Sequence, residues 1–160
     1  MPEVGNSSVD LVCIDPPYYN NVQYGELSDY FYVWEKRTLG DLYPELFRRR
    51  LTNKQDEAVA NPVRDGGQQQ AYQSYERMMG EIFDECRRVI SQDGLMTLMF
   101  THKRQEAWEA LTRSLIDHRW EISSCFPVES EFGHSQHIMG QASARSSVFL
   151  SCRKRVRDDQ

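Results

Sequence analysis

The sequence predicts an α/β protein built on an open sheet of parallel strands, and three observations carry that prediction. The run Val9, Leu11, Val12, Cys13, Ile14 is mostly apolar without strict alternation, as in a parallel strand covered on both faces. Helix-like and strand-like segments then alternate with short links. Turn residues, among them Gly40, Gly94 and the two prolines of "IDPPYYNN", fall between those segments. At 160 residues the chain suits a single domain over 1–160 with a real core.

Taken in order, the first strand covers Val9 to Ile14 and stops at Asp15. Leu27, Tyr30, Phe31 and Trp34 then recur at helical spacing, with Ser28 and Asp29 near the start and Gly40 beyond the end. Residues 41–70, including "NPVRDGGQQQ", carry turn residues and little periodicity, and read as an irregular insertion or lid. Tyr75, Met78, Met79, Ile82, Phe83, Cys86, Val89 and Ile90 form an amphipathic helical stripe, ended by "SQDG" with Gly94 as its stop. Leu95 to Thr101 is a strand. Ala107, Trp108, Leu111 and Leu115 share one face of the next helix. "WEISSCFPV" and "SSVFLSCRK" supply two more strands. Trp34, Trp108 and Trp120 sit at positions typical of core aromatics.

With 39% apolar residues, 27% charged residues and a net charge of −5, the composition is that of an ordinary globular protein, not a disordered, collagenous or generally basic one. Two local basic runs, Arg48 to Arg50 and Arg153 to Arg157, are able to meet phosphates even so, against the plainer reading of a solvated loop and a frayed tail. Cys13, Cys86, Cys125 and Cys152 lie far apart without a CxxC pair and read as small buried hydrophobes of a reducing compartment. His134 and His137 in "HSQH" lack further ligands at a metal spacing, so no metal is expected. No apolar run is long enough to span a bilayer and no signal-peptide pattern opens the chain, so the expected location is cytoplasmic.

In open α/β sheets ligands bind beyond the carboxyl ends of the strands, which is where Asp15, Pro16, Pro17 and Tyr18 stand. Two successive prolines fix φ twice and remove two donors, leaving carbonyl oxygens as acceptors. Asp15 adds a carboxylate and Tyr18 a flat face. Together they suit a planar ligand with an amino group, its N–H bonds accepted and its ring stacked.

With that context the chain resembles the amino-methyltransferases, whose motif is [Asp/Asn/Ser]-Pro-Pro-[Tyr/Phe/Trp]; the version Asp15-Pro16-Pro17-Tyr18 looks like that of N6-adenine DNA methylases. "DPPYYNNVQYGELSDYFYVW", "LTNKQDEAVANPVRDGG", "FTHKRQEAWEAL" and "GQASARSSVFLSCRKR" resemble blocks of the large DUF1156-type adenine-specific methylases. The resemblance implies a partial Rossmann-like class I methyltransferase fold. Its fourth, fifth, sixth and seventh strands would be the four found here, the last running antiparallel between the fifth and sixth. It also implies transfer of a methyl group from S-adenosylmethionine to the N6 amino group of adenine in DNA. The base would be rotated out of the nucleic acid, and Asp15 and the Pro16 carbonyl would accept from its amino group while Tyr18 stacks on its ring. Tyr19, Asn20 and Asn21 become pocket walls, with Tyr24 beside them. His102, at the end of the next strand with Thr101 and Lys103, becomes a rim or helix-capping group rather than a base. The block Gly140 to Ser147 falls in the loop between the last two strands.

Class I enzymes of this kind hold the cofactor with a glycine-rich turn after the first strand and an acidic residue after the second, and the nine glycines here contain no G-x-G. The sequence thus looks like the C-terminal, target-base half of a methyltransferase, with weak or no cofactor binding of its own. The strand at 9–14 would then be an apolar edge open to an upstream half or to self-association. Two alternatives stand beside this reading. One is methylation of RNA or of a protein amide, although such enzymes usually carry Asn where Asp15 stands. The other is a non-catalytic interaction or assembly module.

Overall fold

The computed structural model of the chain describes residues 4–129 and 146–155. Its elements are β1 (Val9–Ile14), α1 (Tyr24–Leu39), α2 (Pro62–Asp65), α3 (Gln68–Val89), β2 (Ile90–Phe100), α4 (Gln105–Asp117), β3 (Trp120–Glu129) and β4 (Ser146–Lys154). The four strands form one sheet in the order β1-β2-β4-β3. β1 and β2 are parallel, and β4 runs antiparallel to both β2 and β3. The strand order and the single reversed strand are those that the resemblance implies.

Apolar periodicity explains the packing. Met96, Leu98 and Phe100 alternate along β2 and point to one face, where Ala71, Tyr75, Met79 and Phe83 of α3 and Ala107, Ala110, Leu111 and Leu115 of α4 cover them. Each such large side chain contributes roughly 1.5–3 kcal/mol by leaving water. Trp120 at the start of β3 is fully buried, and its indole N–H donates to the Phe83 carbonyl at 3.1 Å, which ties β3 to α3.

Several expectations are corrected. β1 is not covered on both faces: Val12 and Ile14 pack on the core, whereas Leu11 is 55% exposed and Cys13 is exposed. Helix α3 stops at Val89, and Ile90 already has extended backbone, so "SQDG" lies inside β2 rather than ending the helix. Those residues bulge against β1, since Val9 stands opposite Ile90 but Leu11 opposite Leu95. Gly94 serves this close approach; a Cβ there would meet Ile90 Cγ1 at 2.5 Å and the Asp10 carbonyl oxygen at 3.0 Å. Trp108 and Trp120 do join the core, but Trp34 is 52% exposed on a helix with no buried residue. Of the cysteines, Cys152 is buried, its thiol pushed up to about 12 by burial, and Cys86 is half-buried. Cys125, like Cys13, is exposed.

The segment after α1 returns along that helix. Tyr32 Oη and Lys36 Nζ both donate to the Arg49 carbonyl, at 3.0 and 2.6 Å. Thr52 bonds to Asp29 and to the Gly25 carbonyl, Lys54 pairs with Asp29 at 2.7 Å, and the Gly25 N–H donates to Glu57. Asp29 is therefore a tether rather than a helix cap, and its carboxyl is held below the usual range by the Lys54 and Thr52 hydrogen bonds. Asn61 caps α2 by accepting from the Val63 and Arg64 N–H groups. Arg64 then donates to the carbonyls of Lys54, Glu57 and Val59, fixing the strap's end.

The open edge of β1 has a measurable consequence. Its outer backbone groups have no strand neighbour among the described residues, and Leu11 makes that margin apolar. We expect concentration-dependent association in light scattering, weakened by Leu11→Lys; a wild-type chain that stays monomeric at high concentration would contradict this.

Candidate active site at the end of the first strand

β1 delivers Asp15 to the sheet's carboxyl end, and the stiff Pro16-Pro17 pair then turns the chain across it. Pro16 is buried, and its carbonyl accepts no hydrogen bond among the described residues. The Pro17 carbonyl is turned inward instead, accepting from the Tyr19 N–H at 3.0 Å and from the Tyr75 hydroxyl at 2.9 Å. The two prolines thus leave one acceptor without a partner among the described residues, not two. Burial pushes the Tyr75 phenol up, so it remains a donor.

Tyr18 turns its hydroxyl onto Asp15 Oδ1 at 2.5 Å, and its ring meets Phe100 edge-on with centroids 5.3 Å apart. Burial, and next the Asp15 hydrogen bond, raise its phenol above the ordinary value, which keeps it protonated. A carboxylate has about four lone-pair sites. Oδ1 is engaged, and Oδ2 is free of partners among the described residues.

Tyr19 carries the strain of the turn. Its φ of 56° is left-handed, a conformation costing a non-glycine residue on the order of 1–3 kcal/mol. The turn is held because the ring is only 2% exposed, packed edge-on against Tyr72, Tyr75 and His102, and because the Tyr19 carbonyl accepts from the Ala60 N–H at 3.0 Å. Tyr19 therefore lies beneath the site rather than on its open wall. Beside it is a cavity of about 420 Å³ lined by Tyr19, Gln68, Gln69, Tyr72, Arg104 and Glu106.

His102 is fixed through both ring nitrogens. Nδ1 accepts from the Arg104 N–H at 3.0 Å, so in the neutral ring the proton sits on Nε2, which faces Asn20 Oδ1 at 3.2 Å. Burial is the main influence lowering its pKa, which favours that neutral form. With Oδ1 occupied, Asn20 keeps its amide N–H₂ as a donor. The Trp108 indole N–H donates to the His102 carbonyl at 2.9 Å and holds the rim from α4. Asn21 is exposed, and its N–H closes the turn on the Tyr18 carbonyl; Tyr24 is exposed at the start of α1.

The structure thus joins Tyr18 to Asp15 and His102 to Asn20, and sets Tyr24 near enough to Tyr18 to help raise its phenol. Sequence reasoning missed the roles of Tyr75, Trp108 and Ala60. The signal for the first two was weak but real: a buried tyrosine hydroxyl or indole N–H needs an acceptor. The Gly140 to Ser147 block, apart from its last two residues, and the pair His134 and His137 lie outside the described residues. Among the described residues no cluster of three or more His, Cys, Asp or Glu side chains is able to hold a metal, and no helix is long and apolar enough to cross a membrane.

A family model described as DNA methylase matches residues 9–144, from the first residue of β1 to just before β4. No curated protein matches the chain.

Proposed function

The chain belongs to the N6-adenine and N4-cytosine DNA methylase family, and from that premise we propose that it forms the target-base side of an enzyme methylating the N6 amino group of adenine. The single observation that carries this reading is the pair of acceptors, Asp15 Oδ2 and the Pro16 carbonyl, on successive residues at the end of β1, neither with a partner among the described residues. An exocyclic amino group has two N–H donors and fits that pair. Accepting both draws electron density onto the nitrogen and aims its lone pair away from the protein. Tyr18 orients the carboxylate and offers its partly exposed ring for stacking. The Asn20 amide, set by His102, donates to the ring nitrogen next to the amino group. Because the amino group is unreachable within a duplex, the base enters the site rotated out of the stack. Catalysis by these residues is positioning and electrostatic complementarity rather than proton abstraction.

S-adenosylmethionine is the methyl donor typical of such enzymes. Its carboxylate and ribose need a cradle of backbone donors and an acidic partner, and the described residues do not form one. Their glycine pair, Gly66-Gly67, links α2 to α3 rather than a strand to a helix. The residues here fit the methyl acceptor.

The test is product identity. With a cofactor-binding half supplied, digestion of the treated duplex should yield N6-methyladenine; N4-methylcytosine alone would overturn the adenine reading. Tyr18→Ala should raise KM for DNA about ten- to a hundredfold, since base–aromatic stacking contributes roughly 1–3 kcal/mol. Tyr18→Phe should keep the stack and instead lower kcat, because Asp15 loses its tether.

A further inference from the structure

We infer that the turn carrying Arg48, Arg49 and Arg50 is a docking point for DNA phosphates several base pairs from the target base, an inference that rests on the DNA methylase reading. Three consecutive guanidiniums are exposed there, and none of their side chains makes an ion pair or hydrogen bond among the described residues. Asp41 and Glu45, the carboxylates of the same loop, pair with none of them. Lys54, Arg64, Arg77, Arg88 and Arg113, by contrast, face carboxylates. Among the described residues this concentration of positive charge has no paired carboxylate.

The turn is also built to hold its place. Tyr32 Oη and Lys36 Nζ converge on the Arg49 carbonyl, so Lys36 anchors the backbone from which the three side chains project. From there the strap runs back through Thr52 and Glu57 to Ala60, whose N–H bonds to the Tyr19 carbonyl under the base site. Hydrogen bonds thereby tether the strap at intervals between the arginine turn and the site. Their anchor on α1, at Tyr32 and Lys36, lies about 12–18 Å along the helix axis from Tyr24 at its start. At 3.4 Å per step of one strand, that separation corresponds to roughly four to five base pairs. A guanidinium fork matches phosphate oxygens in pairs, which favours the DNA backbone as the occupant.

The experiment is fluorescence anisotropy of the full 160-residue chain with a labelled adenine-containing duplex across a salt series, comparing wild type with Arg48→Ala/Arg49→Ala/Arg50→Ala and with the triple Lys variant. Each phosphate contact adds about 0.9 to the slope of log K against log salt. The Ala variant should lower the magnitude of that slope by about 2–3, with unchanged circular dichroism, while the Lys variant keeps most of it. If wild type binds and the Ala variant has the same slope, this inference fails and the methylase reading stands on its product assay. If wild type has no affinity for the duplex even at low salt, the inference fails outright; an acidic peptide bound through the same arginines in that case would identify a protein partner instead.

Discussion

Methyl transfer by an assembled enzyme carrying Asp15→Ala should fall by about two to three orders of magnitude, the scale seen when one pre-organised polar contact to a reacting group is removed. The structure explains why so short a side chain has so large an expected effect. Asp15 is the one carboxylate of the acceptor pair, its Oδ1 is already fixed by Tyr18, and the Pro16 carbonyl alone accepts one N–H and leaves the other unpaired. The loss should appear in kcat rather than in cofactor affinity, because in the proposed site Asp15 faces the amino group of the base. Asp15→Asn should be intermediate: an amide oxygen still accepts, but with less negative charge and with a donor placed beside it. Normal turnover of adenine-containing DNA by Asp15→Ala would remove the assignment of this site.

The strand that carries Asp15 and the helices α3 and α4 were legible because their apolar spacing is long and regular. The strand order was not legible in that way; it followed from the resemblance carried by the "DPPY" block and its companions. The errors have physical causes. Val89 and Ile90 extend a helical stripe equally well whether the chain continues as helix or turns into a strand, so the boundary was misplaced and Gly94 read as a stop instead of a point of contact with β1. The stripe Leu27, Tyr30, Phe31 and Trp34 has the spacing of a buried face, yet all four are exposed on α1. Periodicity tells which residues share a face, not whether anything covers it. At the site, the motif itself could be read, but its supports could not. Tyr75 and Ala60 reach Pro17 and Tyr19 across separations that only tertiary packing closes, and Trp108 reaches back six residues to the His102 carbonyl.

Alone, the 160-residue chain should neither bind S-adenosylmethionine tightly nor methylate DNA, and it should gain both on joining a polypeptide that supplies three further strands and a glycine-rich loop. In the proposed site the acceptor side is already in place: Tyr18 bonds to Asp15 and packs on Phe100, and the neighbouring Pro17 and Tyr19 are held by Tyr75 and by the strap that ends at Ala60. The donor side requires backbone N–H groups and an acidic partner that the described residues do not bring together. β1 offers the means of joining, since its outer edge has no strand neighbour among the described residues and its uncovered face presents Leu11. Restoring a strand neighbour there would bury that residue and satisfy the free backbone groups together, so assembly and cofactor binding should rise in parallel. The decisive measurement mixes the chain with the cofactor-binding half, labelled cofactor and an adenine-rich duplex, with Asp15→Ala as the comparison. Leu11→Lys should weaken complementation and leave the residual activity at saturating partner intact, because it disturbs the joint and not the acceptor pair. Label transfer by the chain without a partner would show that it carries its own cofactor site, and no transfer with the partner present would point to an assembly module that keeps the shape of the base site without its chemistry.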